Sequence, residues 1–204
     1  QIVSIAPAAV EPEDLVSWLR MHHPELLSPP PDRSMIRYSQ RDPRWAKHQL
    51  GDSRLLIGGY GCALTAVAMI VSQVHPELTP VRLNDLLVSG NGFYAAHISW
   101  VRAGAMVSGV RFVNRYDWDL PVPALAMQGI RDDLDRYGPL VMEVDFKPET
   151  SPQEQHFVVA LRMTDRDVRI VDPWDGAETW LMRRYAEPEH TLERAIWGTR
   201  VYEV

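Results

Sequence analysis

The stretch Gly58-Gly59-Tyr60-Gly61-Cys62-Ala63-Leu64-Thr65-Ala66-Val67-Ala68-Met69-Ile70-Val71 sets a glycine-rich approach against a strong helix pattern. Ala63, Ala66, Val67, Ile70 and Val71 recur at three- and four-residue steps, which predicts a helix with one continuously apolar face. The only cysteine of the chain, Cys62, falls at the first turn of that helix. Unpaired N–H groups and the positive end of the dipole favour a thiolate there. Glycines at 58, 59 and 61 are expected to clear side chains from in front of the sulfur and to leave room for a substrate backbone. The same position suits a small buried hydrophobe, since free cysteine is among the most buried residue types. The rest of the chain has to decide between the two.

Downstream, Thr79-Pro80 opens a second helix that carries Leu83, Leu86 and Leu87 inward and stops at Gly90-Asn91-Gly92. Ile98 to Met106 reads as a short helix ended by Gly109, and Val110 to Tyr116 as a strand. Pro123 to Tyr137 is a longer helix, with Gly138 for its left-handed cap and Pro139 behind it. The period then changes to that of strands: Leu140 to Phe146, Phe157 to Met163, Val168 to Val171, Glu178 to Met182 and Thr199 to Val204. Helices first and antiparallel strands second is the α+β pattern, with N-terminal helices packed on a C-terminal antiparallel sheet.

Upstream, residues 1 to 33 read as an appendage: one short amphipathic helix over Leu15 to His22, then the stiff connector Ser28-Pro29-Pro30-Pro31-Asp32. The main domain occupies 34 to 204, a size that suits a single core. The His22-His23 pair has no second ligand cluster at metal spacing, so no metal or organic cofactor is implied. A net charge of −6 removes the basic footprint of a nucleic-acid binder. No apolar run approaches the ~20 residues that span a bilayer, and no signal segment opens the chain. One cysteine excludes an internal disulfide. The cellular compartment stays open.

A lone thiol needs a base beside it and a third group to orient that base. His156 stands at the mouth of the hairpin made by residues 157 to 163 and 168 to 171, and Asp172 stands where the returning strand ends. A hairpin brings its two ends to one edge of the sheet. His48, His75, His97 and His190 lack such a partner, and Asp132-Asp133 reads as a solvated helix face. The Arg33, Arg37, Arg41 and Arg44 series reads as exposed loop charge.

Taken together, Gln40-Arg41-Asp42-Pro43-Arg44-Trp45, Leu50-Gly51, Gly61 to Met69, Thr79-Pro80, Leu83-Asn84, His156-Phe157-Val158-Val159 and Val171-Asp172-Pro173-Trp174-Asp175-Gly176 resemble the papain-like cysteine peptidases grouped with bacteriocin double-glycine leader peptidases. The resemblance covers roughly residues 35 to 180 in the family's order of elements. It implies a papain-like fold, Cys62 as nucleophile, His156 as general base and Asp172 as the orienting acid. It also implies that the side-chain amide of Gln40 and the backbone N–H of Cys62 form the oxyanion hole. The substrate expected is a peptide or protein. Family members that remove leader peptides are commonly fused to a membrane transporter, a segment this chain does not show, so double-glycine cleavage does not carry over. Free-standing relatives include parts of phage or bacterial lytic enzymes, which makes a peptidoglycan cross-link the rival substrate. A non-catalytic binding module on the same scaffold is the rival from another class.

Strand counting adds a condition independent of the family. A tight two-residue turn at Asp165-Arg166 with regular pairing puts Asp172 opposite Val159, on the face away from His156. An odd loop or a bulge between Leu161 and Ile170 is therefore expected, which moves Asp172 opposite Val158 or His156.

Overall fold

The structure, a computed structural model, describes residues 34–150, 152, 154–187 and 190–204. The appendage expected over residues 1 to 33 lies outside the described residues, and so does the His22-His23 pair. In chain order the described elements are α1 (Ile57–Tyr60), α2 (Cys62–Val71), α3 (Pro80–Ser89), β1 (Phe93–Tyr94), β2 (His97–Ile98), α4 (Trp100–Met106), β3 (Arg111–Asp117), α5 (Ala124–Tyr137), β4 (Leu140–Asp145), β5 (Gln155–Met163), β6 (Val168–Val171), β7 (Glu178–Trp180), α6 (Leu181–Tyr185), α7 (Leu192–Ala195) and β8 (Gly198–Glu203).

Six strands form one sheet in the order β3-β8-β4-β5-β6-β7, and every neighbouring pair is antiparallel. Helices packed on an antiparallel sheet make this an α+β protein. The α2 sequence is apolar nearly all round, and its residues from Leu64 to Val71 are all buried, as a core helix requires. It packs with α3 and α4 on the sheet face that presents Val141, Phe157, Val159, Val171 and Tyr202. On the other face, Met127, Ile130 and Leu134 of α5 meet Leu140, Met142, Val144, Val158, Ala160 and Ile170. Both faces are covered, which explains why all six residues of β4 are buried, Glu143 and Asp145 included. Among the described residues no helix is long and apolar enough to cross a membrane.

Two segments differ from expectation. His97 and Ile98 do not open a helix; they pair with Phe93 and Tyr94 in a small hairpin, and α4 begins only after Ser99, whose side chain accepts from Arg102 N. The strand expected from Glu178 to Met182 stops at Trp180, and the chain turns helical over Leu181–Tyr185. Leu181 and Tyr185, four residues apart, are both buried, so apolar contact on one helix face outweighs strand propensity there.

The β5–β6 hairpin meets the counting condition through a bulge. Thr164 N donates to Asp167 O at 2.8 Å, so the tight turn is kept. Met163 pairs with Val168 and Arg162 with Arg169, then Leu161 is skipped, and Ala160 pairs with Ile170 and Val159 with Val171. Continuing that register sets Asp172 opposite Val158, diagonal to His156 and on its face of the sheet.

Candidate active site

Cys62 is the first residue of α2, and its backbone N–H, at the helix start, has no partner within the helix. Contrary to the expectation from the sequence, the glycines before it do not all clear space in front of the sulfur. Ile57–Tyr60 are a helical turn, and Gly61 N donates to Ile57 O at 2.8 Å. A Cβ on Gly61 would meet Ile57 O at 2.6 Å, and one on Gly58 would meet Ala46 O at 2.8 Å. These two glycines permit close packing within the protein. Of the three, only Gly59 faces open space, and it lines the same cleft as Cys62.

His156 is buried at the start of β5, 3 % exposed. Its Nε2–H donates to Asp172 Oδ1 at 2.9 Å, which leaves Nδ1 for other chemistry. Burial of the ring opposes its charging. The Asp172 hydrogen bond and the nearby Cys62 thiol outweigh that, and the His156 pKa is pushed up to about 9. Phe146, its ring centroid 4.8 Å from that of His156, and Tyr185 at 5.5 Å flank the imidazole.

Asp172 is fully buried, and every oxygen position is used. Oδ1 also accepts from Trp174 N at 2.8 Å, and Oδ2 accepts from the Tyr185 hydroxyl and lies 2.7 Å from Arg184 Nε. Arg184 reaches on to Asp175 Oδ2 at 2.7 Å. Burial alone would raise the Asp172 pKa, but the bonds from His156, Tyr185 and Trp174 hold it below the usual carboxylate range. Burial and the Asp172 charge raise the pKa of Tyr185, so that hydroxyl stays a neutral donor. Tyr185 and Arg184 escape a reading of the sequence because the strand expected over 178 to 182 conceals the helical turn that carries them back. The i, i+4 pair Leu181 and Tyr185 is the signal that would have found it.

Gln40 is buried, 1 % exposed, on the loop before α1. Its backbone N donates to Pro173 O at 2.6 Å, which ties this loop to the end of the hairpin directly after Asp172. Its Nε2 donates to Gly58 O at 3.2 Å, which leaves one amide hydrogen over. Its Oε1 is buried and has no protein partner. Gln40, Cys62 and His156 line one cleft of about 1240 Å³, with Phe93, Tyr94, Trp100, Phe146 and Trp174 among its walls. The structure thus brings together all four candidate residues, Asp172 standing behind His156. His97 also lines this cleft, whereas His75 bonds Glu77 and the Ser108 carbonyl. Among the described residues no group of three or more His, Cys, Asp or Glu is arranged to hold a metal ion.

No protein-family model matches the chain, and no curated protein matches it in sequence. Among solved structures the chain is similar to the crystal structure of a presumed C39-like peptidase from Bacillus anthracis, at 12% sequence identity and a TM-score of 0.44. The match covers 70% of this chain and 88% of that chain. A likeness of that size leaves function to be read from the residues themselves.

Proposed function

We propose that the protein is a papain-like cysteine peptidase that hydrolyses a peptide or isopeptide bond through an acyl-enzyme on Cys62. The observation that carries this reading is the His156–Asp172 hydrogen bond, 2.9 Å long and buried, made by an imidazole that shares an open cleft with the thiol at the start of α2. A packing cysteine has no need of such a partner. A non-catalytic module has no need of a buried imidazole bonded to a carboxylate and facing the same cleft as its one thiol.

In this mechanism imidazolium and thiolate form a pair across His156 Nδ1 and Cys62 Sγ. The thiolate attacks the substrate carbonyl carbon, and the C=O electron pair moves onto oxygen. The spare hydrogen of Gln40 Nε2 and the unpartnered Cys62 N–H receive that oxyanion. One such donor typically contributes about 2.7–4 kcal/mol of transition-state stabilisation. His156 gives its proton to the leaving nitrogen, the C–N bond breaks, and a thioester remains on Cys62. Water then attacks the thioester as His156 accepts its proton, and the acid and the free thiol are released. Asp172 keeps the imidazole oriented and stabilises its charged form. It is itself held by Tyr185 and Arg184.

The resemblance to double-glycine leader peptidases enters here as a family expectation for the scaffold, and a cell-wall peptide cross-link is an alternative substrate with the same chemistry. The test is incubation of the wild-type protein and Cys62→Ala with a peptide library and with purified cell wall, followed by mass spectrometry. Wild type should release fragments and carry a transient adduct on Cys62, and Cys62→Ala should do neither while melting within a few degrees of wild type. Hydrolysis that survives in Cys62→Ala would remove Cys62 as nucleophile.

A further inference from the structure

The cleft at Cys62 does not end at α1. Leu55, Gly59 and Tyr60, which line it, also line a neighbouring depression of about 470 Å³, whose other walls are Arg41, Ala46, Arg54, Leu56 and Gly58. Its floor is close-packed backbone: the Gly58 position abuts Ala46. Its sides are apolar and open to solvent, with Leu55 37% exposed, Leu56 43% and Tyr60 61%. With Tyr94 and Val101 of the main cleft, five of the nine exposed large apolar residues among those described lie along these two joined cavities. Exposed apolar surface gathered in one groove marks a place for a ligand.

Charge distinguishes the two ends of the groove. In the main cleft Arg200 is neutralised by Glu143 at 2.6 Å and Asp117 at 2.8 Å, Arg115 by Asp117 at 2.5 Å, and Glu154 by Lys147 at 3.0 Å. In the depression the two arginines are not paired in this way. Asp42, next to Arg41, is bound by Arg44, and Asp175, next to the Trp174 on which Arg41 lies, is bound by Arg184. Among the described residues neither Arg41 nor Arg54 has a carboxylate partner. Arg41 is also fixed in place, its guanidinium 4.7 Å from the centre of the Trp174 ring. Arg54 sits on a tight loop closed by Leu50 N donating to Leu55 O at 2.9 Å. Two cations lining an apolar groove, one of them fixed on Trp174, favour an anionic ligand group flanked by apolar ones.

We propose that the depression between Arg41 and Arg54 is a subsite for a carboxylate on the substrate, so that the protein selects acidic peptides. That the occupant is a substrate rests on the hydrolase reading; that it is a carboxylate rests on the depression alone. The carboxylate is either an acidic side chain or a free C-terminus.

The test measures binding of labelled decapeptides to full-length Cys62→Ala by fluorescence anisotropy. One set is N-acetylated and C-amidated with Glu fixed at each position in turn, the second has Gln in its place, and the third is neutral with a free C-terminus. At low salt, Glu at one or two positions, or the free C-terminus, should bind about three- to tenfold tighter than the neutral counterpart, and 0.5 M NaCl should shrink the difference. Which set gains identifies the source of the carboxylate. Adding Arg41→Gln and Arg54→Gln should bring the ratio to near one, and Arg41→Glu should invert it in a variant that still melts cooperatively. Equal binding of all three sets, or a preference that survives the double substitution, would overturn the proposal. If wild type cleaves neither these peptides nor purified cell wall and the preference is still present, the hydrolase reading fails and the carboxylate subsite stands.

Discussion

The helix that carries Cys62 and the strand ends that carry His156 and Asp172 are secured by different physics. On the Cys62 side, α2 lies in an apolar cluster, and the junction at Gly61 works because a glycine allows the chain to pass 2.6 Å from Ile57 O at the missing Cβ. The packing contacts that hold α2 there are apolar. On the His156 side the holding contacts are polar: Asp172 is gripped by His156, Trp174 N, Tyr185 and Arg184, all in or near the low-dielectric interior. Apolar packing tolerates small losses gradually, but a buried polar network that loses one member leaves the others unsatisfied. The candidate pair therefore joins a half held by apolar packing to a half whose geometry is set by charge.

The sharpest break should come from Asp172→Ala. It frees the imidazole and strands the Tyr185 hydroxyl, and we expect kcat per folded molecule to fall by about 10³–10⁴-fold with the cleft otherwise intact. Steady-state kinetics on any cleaved peptide checks this. Met69→Ala, on the apolar half, should do the reverse. Met69 is fully buried in α2, so denaturant unfolding should show a loss of about 2–5 kcal/mol, with kcat of the folded fraction near wild type. Equal effects of the two substitutions on activity would erase the contrast.

The third prediction concerns pH. The folded His156 holds its proton up to about 9, against an unfolded value of about 6.5. The stability it contributes is fully present below about pH 6.5 and is lost as pH rises through 9, by up to about 3 kcal/mol. Asp172 acts in the opposite direction: its lowered folded pKa gives stability that is lost as pH falls below about 4. Thermal melts of wild type and His156→Gln across pH 6 to 10 should converge as pH rises. Parallel curves would contradict the linkage.

The same contrast governs how much of the protein was legible in its sequence. The α2 helix shows in the spacing of apolar residues from Ala63 to Val71, because burial writes directly into composition. That the pairing slips by one residue followed from counting, since His156 and Asp172 can share a face only then; that the slip is a bulge at Leu161 rather than an odd loop is visible only in the structure. The small hairpin over residues 93 to 98 was hidden for a physical reason. Its turn places Ala95 at φ 54°, where a glycine or asparagine would have signalled it, and the approach of Gly51 to Ala95 O and Phe93 leaves no room for a larger residue beneath it. Tyr185 and Arg184 were hidden because a strand was expected over 178 to 182; the i, i+4 pair Leu181 and Tyr185 shows the helical turn, but their contact with Asp172 is long-range and only the fold reveals it. The Arg41 position was read as plain loop charge, because only the fold lays it on Trp174.

The most direct test of the central claim is the rate of Cys62 alkylation by iodoacetamide at pH 6, in wild type and in His156→Gln. If His156 pairs with Cys62 as an imidazolium, wild type should react at least about tenfold faster than the variant at pH 6, and the gap should close towards pH 10 as both thiols ionise. Equal rates in the two proteins at pH 6, with both folded, would show that Cys62 and His156 do not act together and would contradict the account.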